Sequence, residues 1–165
     1  MTRTPRLALP FLSQGQAQKE ITHNEALQIL DFLVAGAVAE PPRNDPPASP
    51  AIDDCYIVGP APTSLWAGWA DAVAGFSVGG WRRIAAVPGM RVYVQATEQW
   101  ACYRTTGWEL GVVRGAKLII EGQQVVGAQS ASIASPAGGA SIDAEARASI
   151  NQILSALRGH GLIAA

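Results

Sequence analysis

The side chains that could support catalysis are few in this chain, and they form no recognisable pattern. The two histidines are His23 and His160, and neither has another histidine, cysteine or carboxylate at a spacing typical of zinc ligands. His23 is expected in the first turn of a helix. His160 is expected beyond the end of another helix, where a cation interacts favourably with the helix dipole. The sequence therefore predicts no metal site and no histidine general base.

Carboxylates are the other candidates for acid–base chemistry, and Asp53-Asp54 is the one adjacent acidic pair. Glycoside hydrolysis needs two carboxylates that flank the scissile bond, whereas neighbouring residues of a strand point to opposite faces. We interpret the pair as the polar start of a strand. The glycines form no dinucleotide- or phosphate-binding motif. We therefore expect no cofactor and no enzymatic activity; the alternative is an enzyme acting on glycan or peptidoglycan through Asp53, Asp54 or Glu98.

Tryptophans are the best candidates for ligand contact, because exposed indole rings can stack on sugar rings. Trp66 and Trp69 lie in a segment with Gly68 that reads as a loop, and we predict that these two rings could contact a glycan. In a small β unit several tryptophans must also form the core, and this is the role predicted for Trp81 and Trp108. Five tryptophans fall within one short stretch: Trp66, Trp69, Trp81, Trp100 and Trp108.

Composition excludes several classes of protein. The 165 residues are 48% hydrophobic and 15% charged, with a net charge of −1, whereas a charged share of about 25% is usual. A surface with so little charge is typical of a chain that other protein chains partly cover. The basic residues are scattered, which argues against nucleic-acid binding. No apolar run is long enough to span a membrane, and Cys55 and Cys102 are expected to be buried free thiols. We expect assembly in the cytoplasm.

The elements that position these residues are indicated by a repeated motif. The segments 76–81 and 103–108 both read aromatic-x-x-x-Gly-Trp, which predicts one β-hairpin made twice. Short strand-like runs flank both copies. Residues 53–114 are therefore predicted to form a small antiparallel sheet or barrel.

A leader and a helix are predicted within residues 1–40. Thr22 and Glu25 fit a capping box, and Pro41-Pro42 would end the helix. Residues 41–52 contain five prolines and are predicted to be a stiff, extended linker. An apolar face at helical spacing is expected from Ala26, Leu27, Leu30, Leu33, Val34 and Val38.

The chain changes character after residue 114. Residues 115–140 are predicted to form a hairpin about Glu121-Gly122, followed by a flexible tract rich in Ala, Ser and Gly. Residues 141–165 are predicted to form a tethered helix that begins after Asp143 and ends at Gly159. The overall prediction is an α+β fold. The helix carries a heptad-like seam that would contact an oligomer or a partner, or would fold back onto the β unit: Ala146, Ile150, Ile153 and Leu157.

Several motifs of the N-terminal two-thirds of the chain form a specific signature: the segments 5–10, 14–20, 22–27, 30–31, 47–50, 54–59 and 66–68 and the two Gly-Trp pairs, Gly80-Trp81 and Gly107-Trp108. On these motifs the chain resembles an uncharacterised family of phage and prophage proteins that is common in alphaproteobacteria and their gene transfer agents. The resemblance covers about residues 5–110.

The resemblance implies a virion appendage protein and brings no catalytic residue with it. We expect a non-enzymatic structural protein that forms an oligomeric base or connector, a trimer or pentamer, for a head spike or tail fibre. It would be assembled in the bacterial cytoplasm and would bind a capsid or baseplate protein and a spike or fibre protein. The neutral amides of Gln14, Gln16 and Gln18 are predicted to contact neighbouring subunits. The alternative is a host-attachment module that binds cell-surface polysaccharide through exposed tryptophans.

Overall fold

A computed structural model describes residues 3–12, 19–34 and 36–165. The chain forms two compact units, Met1–Val112 and Val113–Ala165. The predicted α+β class is confirmed, with two helices and mainly antiparallel sheets, and the described strands close no barrel. The helices are α1 (Lys19–Val34) and α2 (Ala144–Gly159). The strands are β1 (Ala37–Val38), β2 (Cys55–Ile57), β3 (Val73–Ser77), β4 (Gly80–Ile84), β5 (Arg91–Val94), β6 (Gln99–Arg104), β7 (Gly107–Leu110), β8 (Leu118–Ile120) and β9 (Gln123–Val126).

The first unit contains two sheets, each built around one copy of the repeated motif. One sheet has the strand order β2-β3-β4 and the other β1-β5-β6-β7. In the first copy Phe76 pairs with Trp81 across the β3–β4 hairpin, and in the second Tyr103 pairs with Trp108 across the β6–β7 hairpin. The paired ring centroids lie 4.9 and 5.3 Å apart. The predicted duplication of one hairpin is thus confirmed, and the structure shows the same ring-to-Trp pairing in both copies.

Two hydrophobic clusters hold the first unit together. The first cluster includes Phe32 of α1 together with buried residues from both sheets, and Trp108 packs against it. The second cluster contains Tyr56, Val58, Trp66 and Ala74, with Trp81 packed against it. The two motif tryptophans therefore support different clusters, and each keeps part of its surface exposed.

The prediction for α1 was wrong in its boundaries and in its buried face. The helix begins at Lys19, so Thr22 lies inside it rather than capping it, and it ends at Val34. Leu30 and Val34 are exposed, whereas Asp31 and Phe32 are buried. The contact with β3 explains the difference, since a Cβ atom placed on Gly75 would lie 2.6 Å from Cε2 of Phe32. The Phe32 ring, packed against the glycine backbone, joins α1 to the sheet, and of the predicted aliphatic face Leu33 packs against the same cluster.

The predicted linker at 41–52 is instead an integral part of the first unit. The backbone N–H of Arg43 donates to the carbonyl of Ile57 at 3.1 Å, and the N–H of Gly59 donates to the carbonyl of Arg43 at 2.7 Å. The Arg43 guanidinium lies 5.7 Å from the ring centroid of Tyr56. The prolines lack an N–H, but the non-proline residues between them supply the hydrogen bonds that attach the segment to β2.

The second unit contains the predicted hairpin and helix. β8 and β9 pair antiparallel, with a register irregularity between Leu118 and Ile119. Both residues of the connecting turn, Glu121 and Gly122, have positive φ angles, as a tight two-residue hairpin turn requires. Asp143 caps α2 by accepting from the N–H of Ala146 at 2.8 Å, which confirms that prediction.

The prediction that Gly159 ends α2 in a left-handed conformation is wrong. Gly159 is the last residue of α2 and His160 follows it in a right-handed conformation. Gly161 has the positive φ angle, 70°, that was expected of Gly159. The left-handed residue therefore lies two positions later than expected, and the last turn of α2 includes Gly159.

Candidate functional site

The two acidic residues considered for catalysis are both engaged in bonds that organise the backbone. A carboxylate oxygen of Asp54 accepts from the N–H of Ala51 at 2.8 Å. Asp53 pairs with Arg6, whose Nε lies 2.6 Å from the Asp53 Oδ1 atom. Glu98 is exposed and has a left-handed backbone conformation after a short helical turn. The described residues hold no group of three or more side chains suited to a metal ion.

The buried carboxylate of Asp31 binds residues 4–7 of the leader to α1 through hydrogen bonds. Its Oδ1 accepts from the Thr4 hydroxyl at 2.6 Å and from the backbone N–H of Leu7 at 2.6 Å, and its Oδ2 accepts from the N–H of Arg6 at 2.9 Å. The Thr4 hydroxyl in turn accepts from the N–H of Leu9 at 3.0 Å. Three donors satisfy the charge of Asp31, so this group has a structural role.

Arg6 extends this attachment towards the start of β2. Its guanidinium donates to the carbonyls of Ala37 and Asp53, at 3.1 and 2.9 Å, besides pairing with the Asp53 carboxylate. Burial raises the pKa of Asp53 above its ordinary value, although the hydrogen bond and charge of Arg6 lower that pKa in part. Burial therefore disfavours the ionised form of Asp53, although this carboxyl group is paired with Arg6.

Both cysteines are buried free thiols, as predicted. Burial raises the pKa of Cys55 to about 12. A thiolate is the reactive form of cysteine, and this thiol is protonated at neutral pH. Cys55 belongs to the first hydrophobic cluster, where it acts as a small apolar side chain.

The described part of the first unit contains an open apolar groove of about 480 Å³. The proline-rich segment forms one wall, and aromatic residues from the β3–β4 hairpin and the preceding loop form the rest. A groove of this composition accepts an apolar or ring-shaped group, but it supplies few polar partners for sugar hydroxyls. Its lining consists of Pro46, Pro47, Ala48, Pro50, Leu65, Trp69, Phe76, Gly80 and Trp81.

The two tryptophans predicted to contact a glycan have different environments. Trp66 is fully buried, with its ring centroid 5.0 Å from that of Trp81, so the prediction that it presents a face to a sugar was wrong. Its position one turn after Thr63, at the end of a short 3-10 helix, directs the ring into the second cluster. Trp69 is half-buried and lines the groove, where a ligand can reach it.

The most exposed tryptophan was not singled out from the sequence. Trp100 is 59% exposed and pairs across the β5–β6 ladder with Tyr93, at 5.5 Å between centroids. Burial along β6 does not alternate, since Gln99 and Trp100 are exposed whereas Ala101 and Cys102 are both buried, so the strand pattern gave no signal for it.

The predicted contact residues of α2 are largely exposed within this chain. Ala146 is exposed, Ile150 and Ile153 are 44% and 59% exposed, and Leu157 is half-buried. The buried residue of α2 is Leu154 instead. Gln14, Gln16 and Gln18 lie outside the described residues.

Solvent-exposed aliphatic side chains are the main feature of the second unit. Of the 14 Val, Leu and Ile side chains within 113–165, all of which are described, 11 are exposed and two, Leu154 and Ile163, are buried. Most of the aliphatic side chains of this unit therefore remain accessible to solvent. None of the described helices is both long and apolar enough to cross a bilayer.

Comparison with known proteins identifies the family. No curated protein matches the sequence significantly. Residues 23–109, more than half of the chain, match the model of a family described as "Protein of unknown function (DUF2793)". The match includes most of α1, the proline-rich segment and both copies of the hairpin motif, and so covers most of the first unit. The chain therefore belongs to the DUF2793 family of proteins of unknown function.

Proposed function

We propose that this protein is a non-enzymatic structural component of a phage-like particle or gene transfer agent. It forms a homo-oligomeric base or connector for a head spike or tail fibre and is assembled in the bacterial cytoplasm. Its partners are further copies of itself, a capsid or baseplate protein, and a spike or fibre protein. The resemblance of the N-terminal segments to phage and prophage proteins supports the assignment of this protein to such a particle.

The exposed apolar surface of the second unit carries the proposal. A unit of this size buries too little surface to be stable on a core of two large side chains, and 11 of its aliphatic side chains are exposed. Fully burying one such side chain contributes about 1.5–3 kcal/mol, so burying the remaining half of all 11 would contribute on the order of 10 kcal/mol. That gain is comparable with the free energy of unfolding of a whole domain, and association with other chains would supply it.

α2 is the element through which we expect copies to associate. Ile150 and Ile153 lie on one side of the helix with Ala146 and Leu157, and both isoleucines are exposed. Two heptads are too short to associate without further contacts, so the hairpin and tract of the same unit would contribute as well. A trimer or a pentamer is compatible with such a seam.

Light scattering coupled to size exclusion tests the oligomer. We expect the full chain to elute as an oligomer, and deletion of 141–165, or the pair Ile150→Gln and Ile153→Gln, to weaken association at least ten-fold. Gln152→Ala, on an exposed position of the same helix, is the matched control and should leave association unchanged. A monomer at high concentration that the deletion does not alter would contradict the proposed oligomer. Imaging of a particle containing this protein then tests its location.

The groove supports a second candidate function, which is binding of cell-surface polysaccharide through Trp69. Trp69 and Trp81 offer aromatic surface for stacking on a sugar ring. A glycan array would compare the wild-type protein with Trp69→Ala, using Trp100→Ala as a control because Trp100 is exposed elsewhere in the unit. Lost glycan or cell binding with retained particle assembly in Trp69→Ala alone would favour this function. Equal loss in both variants, or no binding by the wild type, would count against it.

A further inference from the structure

The β8–β9 hairpin is a two-stranded sheet whose outer edges are unpaired among the described residues. An isolated hairpin of this kind is marginally stable in water. Its unpaired edges are templates for a further strand. Leu118, Ile119 and Ile120 of β8 are 51%, 49% and 54% exposed, so apolar side chains accompany the open backbone. Within the described part of the chain the hairpin therefore has open edges and aliphatic side chains that are only about half covered.

β8 and the residue on either side of it run in a self-complementary order. The sequence Lys117-Leu118-Ile119-Ile120-Glu121 places a base at one end, an acid at the other and three aliphatic residues between them. Lys117 and Glu121 are both exposed. If the same segment is laid antiparallel beside itself about Ile119, each lysine comes near the glutamate of the other copy. Each Leu118 then faces an Ile120.

We propose that β8 pairs antiparallel with β8 of a second copy of this chain, about a twofold axis at Ile119. The two hairpins then form one four-stranded sheet whose central pair is the new contact. Such an interface is isologous, because the same surface is used on both copies. The pairing satisfies the edge N–H and C=O groups of both β8 strands and brings the aliphatic side chains of both copies together.

The charges select this arrangement over the alternatives. Parallel pairing of β8 strands would place Lys117 beside Lys117 and Glu121 beside Glu121, and like charges directly opposite each other destabilise a sheet. β9 carries two glutamines and two valines and so has no charge to orient a partner. The opposite charges of Lys117 and Glu121, on either side of β8, therefore favour a second copy of the same strand in antiparallel orientation.

This inference rests on the proposed function only in taking the protein to be homo-oligomeric. The contact at β8 is separate from the contact at α2 and joins copies in pairs, whatever symmetry α2 imposes. The two can be tested apart because they use different residues of the second unit.

Charge exchange in the full chain tests the contact directly. We expect Lys117→Glu and Glu121→Lys each to weaken self-association at least ten-fold, measured by sedimentation velocity at low salt in the Ile150→Gln, Ile153→Gln background. An equimolar mixture of the two single variants should restore association, because each glutamate then meets a lysine across the contact. The double exchange should also restore it. Glu98→Lys, an exposed charge change in the first unit, is the control.

Covalent trapping supplies a second measurement. Directly opposed residues of an antiparallel pair come close enough for a disulfide, so Ile119→Cys should form an intermolecular disulfide under mild oxidation. Val125→Cys should not, and the native Cys55 and Cys102 are buried. Association that the single exchanges leave unchanged, or that the mixture does not restore, overturns the β8 contact. If the full chain is then still oligomeric and depends on α2, the proposed function stands without it.

Discussion

At the scale of single residues, Asp31 determines whether the leader remains attached to α1. Its carboxylate is buried and accepts three hydrogen bonds from residues 4–7. We expect Asp31→Asn to lower the free energy of unfolding by about 2–3 kcal/mol, because the amide nitrogen would face a donor and the charge-assisted bonds would be lost. Urea unfolding measures the change. Glu25→Gln, on the exposed surface of the same helix, is the control and should have little effect.

The ionisation of Asp53 gives a second prediction at this scale. Burial raises its pKa in the folded protein, despite the attraction of Arg6. The stability that this group contributes is therefore present below its ordinary pKa of 3.8 and is lost as the pH rises through the higher folded value. Compared with Asp53→Asn, the wild type should lose stability as the pH rises from about 4. Asparagine tolerates the positive φ angle of 87° at this position.

Unfolding of both proteins between pH 3 and pH 7 measures this difference, and a carboxyl NMR titration gives the pKa directly. If the wild type instead gains stability over Asp53→Asn as the pH rises, the ion pair with Arg6 outweighs burial. The attachment of the leader would then be strongest at neutral pH.

At the scale of elements, the packing of α1 against β3 depends on the absence of a side chain at position 75. A Cβ atom there would lie 2.6 Å from the ring of Phe32. We expect Gly75→Ala to destabilise the protein by about 1–3 kcal/mol through overpacking, as measured by thermal or urea unfolding. Gly115→Ala is the matched control, since the nearest atom to its added Cβ lies 3.9 Å away.

A double-mutant cycle separates overpacking from an intrinsic change in β3. Phe32→Leu alone should be destabilising, because it removes part of the ring from the first cluster. Combined with Gly75→Ala it should cost less than the two single changes added together, because the shorter side chain leaves room for the new methyl group. Strict additivity would show that the two residues do not compete for the same space.

The sequence is informative about elements where local geometry determines the outcome. The aromatic-x-x-x-Gly-Trp motif predicted both hairpins because Gly80 and Gly107 have positive φ angles, 90° and 120°, which glycine adopts readily. The cap at Asp143 and the tight turn at Glu121-Gly122 depend on equally local interactions. None of these features requires knowledge of a distant partner.

Features that depend on distant contacts were not predicted. The buried face of α1 is set by Gly75, which is 43 positions from Phe32 in sequence. The burial of Trp66 depends on rings of Tyr56 and Trp81, and Arg43 attaches the proline-rich segment to the strand edge at Ile57. Periodicity identifies an apolar residue but does not identify the surface that covers it.

For the same reason, the groove could be predicted only in part from the sequence. Trp69 was a candidate, but the proline-rich segment was interpreted as a linker, so it was not expected to form a wall of the cavity. The prolines in fact line the groove together with the aromatic residues. A site formed between two segments cannot be recognised from either segment alone.

At the scale of the whole molecule, the two units should differ in how their stability depends on concentration. Of the 17 buried apolar side chains among the described residues, 15 lie within 1–112 and two within 113–165. The fragment 1–112 has two clusters of its own, so we expect a cooperative transition whose midpoint does not change with protein concentration.

The fragment 113–165 should behave in the opposite way. With little core of its own, it should be unfolded when dilute, and its midpoint should rise with concentration because association stabilises only the folded state. Circular dichroism at 222 nm over about a hundred-fold range of concentration measures both fragments, with 1–112 as the internal control. Ile153→Gln in the second fragment should lower its midpoint at every concentration. A dilute, monomeric 113–165 with a sharp transition would show that its exposed aliphatic residues are not needed for folding, and the argument for association through this unit would then fail.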